Sequence, residues 1–105
     1  MREIVYIGSE LKLNVNIDPI NGKTMDQYNF ECEFYCHPAK RIKKTKAQMR
    51  KVDSSNYIAL VDTQELGIGN LSCKVTAYLP DTYGGSDGVR TEVSLVDMDV
   101  CIMNA

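Results

Sequence analysis

The sequence predicts an all-β domain, a seven-stranded antiparallel sandwich, and three observations predict it. Apolar residues alternate with polar ones at the two-residue period of half-buried strands. The clearest run puts Leu71, Cys73, Val75, Ala77 and Leu79 on one face and Ser72, Lys74, Thr76 and Tyr78 on the other. Glycine, proline, asparagine and aspartate break the chain between such runs. No segment sustains a convincing helical period, and there is no internal repeat or low-complexity tract.

A short opening strand falls around Ile4 to Ile7, and Gly8-Ser9-Glu10 ends it. Leu11, Leu13, Val15 and Ile17 then alternate with Lys12, Asn14 and Asn16. Asp18-Pro19 and Asn21-Gly22 supply turn chemistry twice. In the third strand Tyr28, Phe30, Cys32, Phe34 and Cys36 share a face, and His37-Pro38 stops it because proline cannot donate to a ladder. Lys43 to Val52 reads either as a charged helical turn or as a solvated strand. Context favours the strand, with Asp53 to Asn56 turning it back into Tyr57 to Val61 as a hairpin. Gly67-Ile68-Gly69 reads as a corner allowing positive φ, without the strand-to-helix setting of a phosphate loop. The strand from Leu71 to Leu79 follows, then a glycine-rich loop over 80–88. In the last strand Val89, Thr91, Val93 and Leu95 share one parity but Val96, Met98, Val100 and Ile102 the other. That change predicts a bulge near Leu95-Val96 or a change of partners. Seven short strands in about a hundred residues point to an immunoglobulin-like sandwich, with a small Greek-key barrel as the alternative.

A length of 105 residues predicts a single domain, 1–105. A chain of this size buries about 60–70% of its unfolded surface, enough for a core without disulfide or metal staples. The 44% hydrophobic and 25% charged residues match globular averages and argue against wholesale disorder. There is no tryptophan and phenylalanine is confined to Phe30 and Phe34, so aliphatic, tyrosine and cysteine side chains must fill the interior. The first residues lack the apolar run of a secretion signal, so cytoplasmic synthesis is expected. No apolar segment approaches the roughly 20 residues that cross a bilayer, so no membrane partner is expected. Cys32 and Cys36 would sit about 13 Å apart on an extended strand. That spacing favours buried reduced thiols for Cys32, Cys36, Cys73 and Cys101 over a disulfide or metal site.

Charge is the sharpest candidate feature. Seven of the 12 basic residues, Lys40, Arg41, Lys43, Lys44, Lys46, Arg50 and Lys51, crowd into one run, and no acid lies between Phe34 and Val52. Such a basic hairpin can bind an acidic protein surface or nucleic-acid phosphates, or its lysines can guard a sheet edge against strand addition. A net charge of −2 and the lack of interleaved aromatics disfavour nucleic acid. From Asp81 onward the chain is acidic, with Asp81, Asp87, Glu92, Asp97 and Asp99 against Arg90 alone, so head-to-tail contact between copies would use both poles. Tyr83, at the tip of the 80–90 loop, is a further partner-contact candidate.

Catalysis is hard to assemble from these residues. His37 is the only histidine, it precedes a proline, and no nucleophile elbow or triad pattern is present. The acidic glycine loop departs from the EF-hand spacing, so no metal or cofactor is expected. Sugar-binding sandwiches present coplanar aromatics; Tyr35 and Tyr78 would form such a patch if their strands were neighbours.

The runs Tyr57-Ile-Ala-Leu-Val-Asp-Thr, Leu66-Gly-Ile-Gly-Asn-Leu, Cys73-Lys-Val-Thr-Ala-Tyr-Leu-Pro-Asp and Arg90-Thr-Glu-Val resemble small immunoglobulin-like modules of bacteriophage tails and baseplates, including those of prophages. The resemblance spans roughly half the chain and carries no functional residue over. It implies a structural or adaptor role in a virion, with repeated copies meeting through sheet edges and loops. The missing tryptophan and inter-sheet cysteine pair set the chain apart from antibody-like domains. The expectation is therefore a non-enzymatic interaction module that binds a protein partner or its own copies, with a carbohydrate-binding module as the alternative.

Overall fold

The computed structural model describes residues 2–81 and 88–105. Among them are eight strands: β1 (Glu3–Tyr6), β2 (Glu10–Asn16), β3 (Asn29–His37), β4 (Lys40–Thr45), β5 (Arg50–Asp53), β6 (Asn56–Asp62), β7 (Gly69–Pro80) and β8 (Val89–Met103). They form two sheets, one of five strands in the order β1-β8-β7-β3-β4 and one of three in the order β2-β6-β5. Every pairing is antiparallel except β1 with β8, which is parallel.

The predicted alternation builds the core between the sheets. Phe30, Cys32 and Phe34 of β3 and Leu71, Cys73, Ala77 and Leu79 of β7 meet Leu13 and Val15 of β2 and Tyr57, Ala59 and Val61 of β6. The rings of Phe30 and Tyr57 pack edge to face across the layers, with centroids 5.1 Å apart. The Asn-Gly turn is also as expected: Asn21 and Gly22 both have positive φ, between the paired residues Ile20 and Lys23.

The count of seven strands is corrected to eight because the predicted strand over 43–52 is two strands in different sheets. After β4 the chain makes a 3-10 turn over Lys46–Gln48 that carries it across the sandwich into β5. The Gln48 side chain accepts the Thr45 backbone N–H at 2.9 Å, and Met49 drops into the core. The same device operates at the other crossing, where Gln27 accepts the Thr24 N–H at 2.9 Å and Met25 is buried.

The corner before β7 also holds more than a loop. Thr63–Leu66 forms one helical turn, capped by the Asp62 carboxylate on the Gln64 N–H and closed by Gly67 at φ 80. Thr63, fully buried, accepts from the Gly8 N–H at 2.9 Å and donates to the Ser9 carbonyl at 2.7 Å, which ties this turn to the β1–β2 connection.

The expected irregularity in the last strand is present, but two residues later and with a different effect. Ser72 faces Asp97 and Asn70 faces Cys101, so Met98, Asp99 and Val100 oppose Leu71 alone, and Asp99 takes a positive φ of 56. Two extra residues preserve parity. Val96, Met98, Val100 and Ile102 therefore all face inward, and Val93 and Leu95 face solvent.

Candidate interaction surface

The basic run does not form one surface. Arg41 and Lys43 stand on the outer face of the five-stranded sheet, where Arg41 reaches Glu33 at 3.0 Å and Lys43 reaches Glu31 at 2.9 Å. Lys44 points the other way, into a mouth between the sheets lined by Glu10, Asp62 and Glu65. Lys46 donates to the carbonyls of Asp26 and Tyr28, and Lys51 pairs with the Asp26 carboxylate at 2.9 Å. Among the described residues, no ion pair holds Lys40, Lys44 or Arg50. The Lys43 contact, then the Tyr78 hydroxyl at 2.7 Å, pull the Glu31 carboxyl below its ordinary range.

The unforeseen surface is the first half of β8. Its pairing with β7 sets Arg90, Glu92, Ser94 and Val96 on the inner side and Thr91, Val93 and Leu95 on the outer. This inverts the usual arrangement, and the cause is the width of the opposing layer: three strands do not reach across five. The uncovered inner side instead borders a cleft of about 230 Å3 against β2 and Ile20. The apolar outer residues lie in water, Val93 at 53% and Leu95 at 72% exposure, with Val96 at 44% on the cleft rim.

This segment is also an open edge. β1 covers β8 only from Val100 to Met103, so among the described residues no strand pairs with the free side of Arg90 to Val96. The other edges are managed. β4 carries Lys40, Arg41, Lys43 and Lys44; β5 is four residues long with Arg50 and Lys51; β2 presents Glu10, Lys12, Asn14 and Asn16 outward; β1 is four residues long. Arg90 to Val96 has neither lysine nor proline, and its two charges, Arg90 and Glu92, are paired with each other at its first end, leaving Val93 to Val96 without a charge.

The charges flanking this edge are already neutralised within the chain. Arg90 bridges Asp81 and Glu92, both at 2.9 Å, and those contacts, Glu92 first, raise its pKa. Arg2 grips the Asp97 carboxylate with both terminal nitrogens. That hydrogen bonding, then the Asp99 backbone N–H, takes Asp97 down to about 2. An acidic pole free to attract lysines of another copy is thus largely consumed by Arg2 and Arg90.

The remaining candidates are structural in their placement. His37 Nε2 donates to the Ile68 carbonyl at 2.7 Å, pinning the end of β3 to the corner. Cys32 and Cys73 are buried free thiols, and contact with Cys32 followed by burial pushes the Cys73 thiol up. Cys36 and Cys101 are partly buried and free. No cluster of metal-ligating residues occurs among the described residues. No helix among them is long and apolar enough to cross a membrane. Tyr35 and Tyr78 lie on neighbouring strands, yet Tyr35 pairs with Ser72 and Tyr78 with Asn29. Six residues of strand separate them, about 20 Å, so they share no platform. The Arg41 guanidinium already covers the Tyr35 ring at 4.2 Å. Tyr83 and Asp87 lie outside the described residues. No family model, curated protein or solved structure matches the chain.

Proposed function

We propose that this chain is a non-enzymatic interaction module of immunoglobulin-like type that binds another polypeptide by strand addition along Arg90–Val96. The observation that carries this reading is the inverted, open edge: Val93 and Leu95 alternate in solvent on a stretch of β8 that has no outer neighbour among the described residues, while the other edges are short, charged or polar. The basic residues of β4 then act as the guard of the opposite edge. The immunoglobulin-like type is supported by the strand order, a three-stranded layer of strands two, six and five under a layer in which strands three, seven and eight are adjacent. A phage or mobile-element assembly is the setting that the sequence resemblance suggests, and tail or capsid genes beside this one would support it.

A random-peptide display selection tests the binding mode. Extended peptides rich in β-branched and aromatic residues should enrich on the native protein immobilised too sparsely for its copies to meet, and not on the Val93→Lys/Leu95→Lys double variant. A glycan array giving a specific signal, with no peptide enrichment, would replace this reading with the carbohydrate one.

A further inference from the structure

We infer that the occupant of the open edge is a second copy of this chain, paired β8 to β8 about a two-fold axis beside Val93. This rests on the reading of Arg90–Val96 as a binding edge and adds the identity of the partner.

The open segment is its own complement. In an antiparallel pairing centred on Val93, Val93 faces Val93 of the second copy, Thr91 faces Leu95, Glu92 faces Ser94 and Arg90 faces Val96. No like charges stand directly opposite each other, and the serine hydroxyl can donate to the carboxylate. On the outer face the two Val93 and two Leu95 side chains gather into one apolar cluster. The register ends where the free edge ends, because Arg2 on Asp97 and then β1 close β8 beyond Val96. Charge favours this arrangement over a β4-to-β8 chain: the acids beside β8 are held by Arg2 and Arg90, and Glu33 and Glu31 already hold Arg41 and Lys43 of β4.

Symmetry also sets the size of the assembly. An isologous contact uses up both open β8 stretches at once, leaving the lysine-bearing β4 strands and the four-residue β1 strands as the remaining edges of the joined sheets, so growth stops at two copies. Backbone pairing and apolar contact resist salt far better than exposed ion pairs do.

Sedimentation equilibrium on the full chain, in low and high salt, tests this directly. The native protein should be dimeric in both. Val93→Lys/Leu95→Lys should weaken self-association at least a hundredfold without changing the circular dichroism spectrum, since both side chains are exposed, and should remove the concentration dependence of the melting temperature that a dimer confers. Lys43→Glu/Lys44→Glu should leave the dimer intact. A native protein monomeric up to ~1 mM, a Kd range in which even weak contacts register, overturns the inference. So does an open-ended oligomer that dissolves in salt and is abolished by the β4 reversal. A monomer that still selects peptides at this edge would refute self-pairing alone and leave the interaction-module reading standing.

Discussion

The Tyr57 hydroxyl donates to the Asp26 carboxylate at 2.8 Å, joining β6 of the smaller sheet to the turn that leads into β3 of the larger one. Lys51 grips the other carboxylate oxygen at 2.9 Å. Burial first, then the bond to Asp26, push the Tyr57 phenol up from 10.0 to about 12. The neutral phenol is favoured in the folded chain, so its contribution is intact below pH 10 and is lost as pH rises towards 12. Tyr57→Phe should lower stability by about 1 kcal/mol, a melting-temperature drop of roughly 4–8 °C. It should also remove one late-ionising tyrosine from an ultraviolet titration. An unchanged alkaline titration in the variant would refute this assignment.

The Arg2–Asp97 clamp makes the opposite pH prediction. The Asp97 carboxyl is held below its ordinary 3.8, at about 2, so the clamp contributes fully above that ordinary value and fails as pH falls through about 2. Amide protection factors of β1 should decline across this acid window ahead of those of β3 and β7. In Asp97→Asn, β1 should be less protected already at neutral pH and its acid dependence should flatten. Equal protection of β1 in the two proteins would show that Arg2 does not hold it.

Thr63 offers a test of the link between the corner and the β1–β2 connection. Thr63→Val keeps the shape but strips the Gly8 N–H of its acceptor and the Ser9 carbonyl of one donor. A buried donor left without a partner costs about 1–3 kcal/mol, readable as a lower urea midpoint with an unchanged slope. Thr63→Ser should recover most of the loss.

Glycine substitutions should rank by space as well as by φ. Gly22, at φ 77, has nothing within 4 Å of an added Cβ. Gly69, at φ 134, would place that Cβ 3.3 Å from the Cys36 Cβ. Backbone strain alone costs about 1–3 kcal/mol at such positions. Gly69→Ala should therefore destabilise clearly more than Gly22→Ala, and the reverse order in chemical denaturation would contradict the packing described for the corner.

What the sequence disclosed was local. The alternation of β7, the Asn21-Gly22 turn, the positive-φ glycines at 67 and 69 and the stop at His37-Pro38 all follow from chemistry within a few residues, and the structure has each of them. The division of the basic run between two sheets was also written there, in the Thr45-x-x-Gln48 spacing that repeats Thr24-x-x-Gln27, a capping signal easily lost beside so many lysines. The inversion of β8 was not. Alternation defines two faces without saying which is covered, and that depended on a three-stranded layer lying over a five-stranded one. The wide spacing of Tyr35 and Tyr78 likewise depended on register, which neither strand encodes alone.

The parallel pairing of β1 with the far end of β8 has a consequence for biosynthesis. A nascent chain emerges from the ribosome in order, so β1 has no partner until residues 100–103 follow it, while β2, β3 and β6 can already find theirs. Closing so long a loop is slow and entropically costly. Ile4 and Tyr6, still exposed in the finished fold, spend that whole interval on an unpaired segment, so within this domain β1 is secured only after β2, β3 and β6 can have found their partners.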